Sequence, residues 1–234
     1  ASKVHLAILA RLMRTGSVDG AIGAAAWDSG SVFDIQSHHA TSRSPAIHDA
    51  SELDATKSVA AMTVHVERDG RVTIITLDRP ERRNAIDHPT LLELLDAQRE
   101  IASRAPSETR AVILTGAAPA FSAGADLNGV EEGQFTTDLQ AVLRGFGALP
   151  VPVIAAIDGP ALGAGTQLVI AADLRIATPS SQLGIPAARL GISIDHWTIR
   201  RLAQEFSPSV ARAMLVGTEN YSAERLHTLG GIHR

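Results

Sequence analysis

Cysteine is absent from the 234 residues. Disulfides, thiolate catalysis and cysteine-ligated zinc are therefore excluded. Aromatic side chains make up only 3% of the chain, so its core must be largely aliphatic. No apolar run approaches the ~18 residues of a membrane-spanning helix. Lysine is scarce, arginine is scattered without forming a block, and the formal net charge is -4, so nothing points to a nucleic-acid partner. The default expectation is a soluble cytoplasmic protein. What the chain does have is apolar residues, 45% of the total, enough for a sizeable core. The length suits one ordinary domain with an appendage, or two small domains.

That appendage is expected at residues 1–61, with a core domain at 62–234. Leu6 to Arg14, "LAILARLMR", allows one or two amphipathic turns. Beyond it glycine, serine, histidine and alanine follow without sustained periodicity, the composition of a poorly ordered extension. The first 18 residues carry basic but no acidic side chains, as a transit peptide does. The plainer expectation is an extension ahead of a natural start at Met62. His38-His39 has no carboxylate or third histidine at ligand spacing and reads as a solvated loop.

From Met62 the patterning sharpens. "TVHVERDGRVTIITLD" is two alternating runs around Asp69-Gly70, a hairpin. "HPTLLELLDAQREIASRA" places Leu91, Leu92, Leu94, Leu95 and Ile101 at helical spacing. "RAVILTG" reads as a buried strand, "DLQAVLRGFGAL" as a helix, and "VIAAID" as a strand. A glycine turn and a short helix follow, then the strand "LRIAT" and the segment "SQLGI", ended by Pro186. "WTIRRLAQEF", "SPSVARAMLVG" and "SAERLHTLG" are helices, the last two capped at Ser207 and Ser222. Strands and helices alternate, so the class is α/β.

Two turns of small residues follow buried strands: "FSAGADL" (Phe121 to Leu127) and "GPALGAGTQL" (Gly159 to Leu168). Each can aim a backbone N–H at a ligand oxygen. Two such donors converging on one carbonyl form an oxyanion hole. Small side chains are needed there, because a larger one holds the carbonyl away. Glycine needed only for positive φ is the competing explanation.

Four collinear segments carry a resemblance: "VTIITLDRPERRNAID", "RAVILTGAAPAFSAGADL", "PVPVIAAIDGPALGAGTQLVIAADLRIAT" and "SQLGIPAARLGI". Residues 64–234 resemble the crotonase (enoyl-CoA hydratase/isomerase) superfamily. The resemblance implies an α/β spiral of ββα units and an acyl-CoA thioester as ligand, with coenzyme A part of that ligand and no separate cofactor. It implies that the N–H groups of Ala125 and Ala164 hold the thioester oxygen, with Gly163 beside them. Asn84, Ala85, Ala123, Asp126 and Leu127 are implied to meet the pantetheine and adenine. Arg82 or Arg83 would approach the phosphates, which guanidinium geometry suits. Family members continue beyond the equivalent of Arg234 with helices that help cover the pocket and build trimers. A homotrimer and full pocket closure are therefore left open.

The departures from the family pattern bear on activity. Hydratases in the family carry two glutamates that hold and activate a water. Gln167 and Ala187 stand at those positions here. Glutamine binds water but cannot accept its proton, and alanine can do neither. Acid–base catalysis by a positioned group is worth ~100- to 10,000-fold. His196 and Trp197 are expected to fill space that the water needs. The segment "IDHWTIRRL", with both glutamates missing, resembles actinobacterial crotonase-like proteins that bind acyl-CoA without hydrating it. Weak or absent hydratase activity is the expectation.

Two alternatives stay open. Asp195 either caps the following helix or acts as a relocated acid or base in an isomerase or hydratase-like lyase. Ser122 in "AFSAG" approximates a hydrolase nucleophile elbow, with Asp195 and His196 following in order. A dinucleotide fold fails, because Leu168 stands where the third glycine belongs.

Overall fold

A computed structural model describes residues 62–126 and 132–234. The expectations for residues 1–61, including Leu6 to Arg14 and His38-His39, lie outside the described residues, as does Leu127.

The hairpin forms at the Asp69-Gly70 signal. Strand β1 (Val64–Asp69) pairs antiparallel with β2 (Val72–Leu77), Asp69 opposite Val72. Gly70 turns the corner at φ 61°, a conformation that glycine adopts without strain. From β2 the chain repeats one pattern four times. Each turn gives a strand to a large sheet, a short extended piece to a second layer, and then a helix.

The first turn runs from β2 through Ile86 into α1 (His88–Arg104). The second runs from β3 (Ala111–Gly116) through Ser122 and Ala125 to α2 (Glu132–Ala148). The third is β4 (Val153–Ile157), β5 (Ala161–Leu162) and α3 (Ala164–Ala171); the fourth is β6 (Leu174–Ala177), β7 (Gln182–Gly184) and α4 (Ala187–Leu190). Helices α5 (His196–Phe206), α6 (Pro208–Leu215) and α7 (Ala223–Thr228), with β8 (Tyr221–Ser222), complete the described chain. The large sheet has the order β1-β2-β3-β4-β6, and from β2 onward its pairs are parallel. Every residue of β3 and β4 is buried, which is why both read as unbroken apolar runs.

Helix α1 buries Leu91, Leu94, Ala97 and Ile101. Leu92 is 45% exposed, a departure from the expected apolar face, because one residue along a helix turns ~100° away. Asp87 caps the helix, its carboxylate accepting from Thr90 N at 2.9 Å. The expected caps also form: Ser207 accepts from Val210 N at 3.3 Å and Ser222 from Arg225 N at 3.2 Å. Helix α2 starts six residues before the apolar pattern at Asp138. Gly133, Thr136 and Thr137 are weak helix formers, and burial of Phe135 and Leu139 offsets that weakness. Strands β5 and β8 and helix α4 are too short to show periodicity in the sequence.

Strand β6 ends the large sheet, and residues 231–234 cover its outer edge. Arg175 N donates to His233 Nδ1 at 3.1 Å, His233 N donates to Arg175 O at 2.9 Å, and Ala177 N donates to Arg234 O at 2.8 Å. An edge covered in this way cannot recruit another strand. The Arg175 side chain is 2% exposed and bonded along its length. Its Nε donates to Gly231 O at 2.8 Å, one terminal nitrogen to Ala172 O at 2.9 Å, and the other to Glu205. Burial pulls the guanidinium below its ordinary value and Glu205 opposes that pull; arginine stays charged.

Candidate functional site

The site region is assembled where the second-layer pieces lie side by side. Ile86 N donates to Gly124 O at 2.8 Å, and Asp126 N returns a bond to Ile86 O at 2.8 Å. Leu162 N donates to Ser122 O at 2.9 Å, and Gly163 N donates to Gly184 O at 2.8 Å. The segments around residues 84, 124, 162 and 184 are thus laced together in chain order.

Two polar side chains brace the lacing. Asn84 is buried with φ 54°. Its Oδ1 accepts from Arg79 N at 2.8 Å, and its Nδ2 donates to Ala117 O and Ala120 O, both at 2.7 Å. The Asn84 amide is therefore spent on the loop, and its closeness to any ligand comes through backbone. Arg79 donates to Ala85 O at 2.8 Å and pairs with Asp87 at 2.9 Å and Asp126 at 3.3 Å. Arg82 Nε lies 4.0 Å from the same Asp126 carboxylate. Arg82, Arg83 and Ala123 are exposed and Ala85 is half-buried. The structure leaves the two outer arginines at the surface and folds Arg79 inward.

The two glycine turns meet. Gly124 has φ 103° and Gly163 φ 52°. A Cβ added at Gly124 would stand 2.8 Å from Leu162 O and 3.6 Å from Ala164 N, and one added at Gly163 would stand 3.7 Å from Gly124 Cα. A side chain at Gly124 would hold the turns apart, whereas at Gly163 the positive φ, not the space, is what favours glycine. Among the described residues, neither Ala125 N–H nor Ala164 N–H donates to the protein. Ala164 opens α3, where a helix end leaves N–H groups without internal partners.

Gln167 lies on α3 three residues beyond Ala164 and is buried. Its Nε2 donates to Thr198 Oγ1 at 3.2 Å. Thr198 Oγ1 in turn donates to Asp195 Oδ2 at 2.6 Å, while Asp195 Oδ1 caps α5 by accepting from Thr198 N at 3.2 Å. Ala187, buried at the start of α4, brings no functional group. His196 is exposed, whereas Trp197 is half-buried and packs on the core. Ser122 is fully buried, its hydroxyl donating to Asn84 O at 2.7 Å and accepting from Gly124 N at 3.2 Å. That hydroxyl shapes the turn and, among the described residues, bonds no histidine, so the nucleophile-elbow reading loses its geometry.

With the site laid out, comparison with known proteins decides the family. The family model described as "Enoyl-CoA hydratase/isomerase" matches residues 67–234. The chain belongs to that family. Among enoyl-CoA hydratase/isomerase relatives, the protein described as "Probable enoyl-CoA hydratase echA6" of Mycobacterium tuberculosis is 41% identical over 159 residues, or 67% of this chain and 64% of that protein. The chain thus spans less than two thirds of that relative's length. The "Short-chain-enoyl-CoA hydratase" of Clostridium acetobutylicum is 33% identical over 178 residues, covering 73% of this chain and 67% of its own. The crystal structure of the enoyl-CoA hydratase from Bacillus anthracis superposes with a TM-score of 0.68 at 33% identity, covering 73% of this chain and 69% of the other. The spiral of ββα units is the crotonase fold.

Sequence reasoning missed Arg79 and Thr198. Three arginines in "DRPERRN" gave no sign of which turns inward. Thr198 was hidden as one more residue of an amphipathic helix; its signal was its place three residues after Asp195, the cap spacing. Among the described residues, no helix is long and apolar enough to cross a membrane, and no cluster of three or more histidine or acidic side chains is placed to hold a metal ion.

Proposed function

We propose that the protein binds a fatty acyl-CoA thioester, with the carbonyl oxygen accepting from Ala125 N–H and Ala164 N–H, and hydrates enoyl-CoA weakly or not at all. The observation that carries this reading is the pair of N–H groups without an acceptor among the described residues, on two turns whose close approach needs glycine at position 124. Family membership supplies the ligand class, and a place in fatty-acid metabolism goes with it. Gln167 and Ala187 supply no acid or base. A bound thioester is thus polarised but has no carboxylate to activate water at those positions.

A second reading rests on the chain of hydrogen bonds from Gln167 through Thr198 to Asp195. It makes Asp195 the acid or base of an isomerase or a hydratase-like lyase. Calorimetric titration with a long-chain acyl-CoA and a crotonyl-CoA hydration assay test both readings. Saturable binding with negligible hydration is expected. Absence of heat at high micromolar ligand would overturn the binding reading. Fast turnover abolished by Asp195→Asn would establish the second.

A further inference from the structure

The chain has no cysteine and only two lysines, Lys3 and Lys57. Residues 62–234 therefore contain neither a thiol nor a side-chain amine. Apart from histidine, their basic residues are all arginine, including Arg79, Arg82 and Arg83 in the loop beside the site. A guanidinium keeps its charge and its fit to phosphate but does not give up a proton to become a nucleophile.

This inventory bears on what the two glycine turns do to a bound thioester. N–H groups that polarise its carbonyl also stabilise the oxyanion formed when a nucleophile adds. With an amine in reach, the nitrogen would bond to the carbonyl carbon and the carbon–sulfur bond would break. The amine proton would leave with coenzyme A as its thiol, and the protein would be acylated by its own ligand. The hydroxyls on the two turns are withheld from this reaction. Ser122 donates its proton to Asn84 O at 2.7 Å, and Thr166 donates to Ala161 O at 2.6 Å. Both residues are fully buried. A serine or threonine attacks only when an adjacent base takes its proton, and a backbone carbonyl does not.

We propose that residues 62–234 hold an acyl thioester without being acylated by it, and that the exclusion of lysine and cysteine is what keeps the loaded protein and its ligand intact. The proposal rests on the acyl-CoA reading above. A thioester so held is released unchanged, and any acylation of the chain falls within residues 1–61, which carry both lysines.

Incubation of the full chain with octanoyl-CoA tests this. Intact mass and peptide mapping read acylation, and a thiol-reactive dye reads release of coenzyme A. The absence of cysteine leaves the dye no protein background. In the wild type no adduct should map to residues 62–234, and thiol release should not exceed that of octanoyl-CoA alone. Ala123→Lys puts an amine on an exposed residue two places before Ala125. Arg68→Lys puts one opposite Thr73, at the end of the hairpin away from the site loop. At about 0.1 mM ligand, an amine tethered beside the bound thioester meets it at an effective concentration of about 1 mM, so Ala123→Lys should be acylated about tenfold faster than Arg68→Lys. Adducts on the wild-type domain, thiol release faster than the protein-free control, or equal acylation of the two variants while both bind octanoyl-CoA would each overturn the proposal. Absence of octanoyl-CoA binding to the wild type in calorimetry would instead overturn the acyl-CoA reading, and this proposal with it. The wild-type measurements decide the question even where a variant does not fold.

Discussion

A single methyl group measures how closely the two glycine turns approach. Gly124→Ala would set a Cβ 2.8 Å from Leu162 O at φ 103°. Positive φ on a non-glycine residue and a backbone clash together cost about 2 kcal/mol. Urea denaturation should show that loss, and calorimetry should show weakened acyl-CoA binding, because Leu162 can yield only by moving Ala164. Asn84→Asp is a second probe of the same loop. Aspartate still accepts from Arg79 N but cannot donate to Ala117 O and Ala120 O, leaving both carbonyls without their partner. The expected destabilisation is about 2 to 3 kcal/mol in the same denaturation experiment. Read in sequence, Asn84 looked like a ligand contact. Proximity to the site was legible, but the use of its amide was not, because both acceptors lie more than thirty residues away.

Among the elements, the loop from Arg79 to Asp87 depends on one side chain. Arg79 meets a carbonyl and two carboxylates at 16% side-chain exposure. Arg79→Met should cost about 3 kcal/mol, much of it from leaving the Asp87 carboxylate without its cation. Thermal unfolding should register the loss, while Arg82→Met, at 54% side-chain exposure, should shift the midpoint little. The long elements were legible because their periodicity runs over whole turns: α1 from its leucines, β3 and β4 from unbroken apolar runs. The second layer was not. Strands of two residues such as β5 and β8 carry no period, and the bridges at Ile86 and Ser122 exist only through pairing between distant segments. The turns of the candidate site were visible as motifs, and their lacing was not.

For the molecule as a whole, the covering of β6 makes stability depend on pH. Burial holds the His233 imidazole below its ordinary 6.5, and Arg175 adds to the depression. Its Nδ1 accepts from Arg175 N, which requires the neutral ring. The unfolded chain therefore binds a proton that the folded chain resists. The contribution is complete above the unfolded value and is lost as pH falls below about 6.5 toward the folded value. The denaturation midpoint should drop between about pH 7 and pH 5, and His233→Gln should flatten part of that slope. The other whole-protein test is catalytic. Gln167→Glu with Ala187→Glu returns both carboxylates but leaves Trp197 packed on the core. If Trp197 occupies the water's place, a hydration assay should show little recovery, whereas recovery of ~100-fold or more would mean that only the carboxylates were missing.

The bonding of Arg175 also bears on when the chain can finish folding. Its guanidinium needs Glu205 and the carbonyl of Gly231, yet the arginine itself is synthesised dozens of residues earlier. While the ribosome has still to deliver those partners, strand β6 carries a cation that cannot be taken into the interior without loss. The sheet then stays open at that side during translation, and its last seam closes only after the glycine emerges.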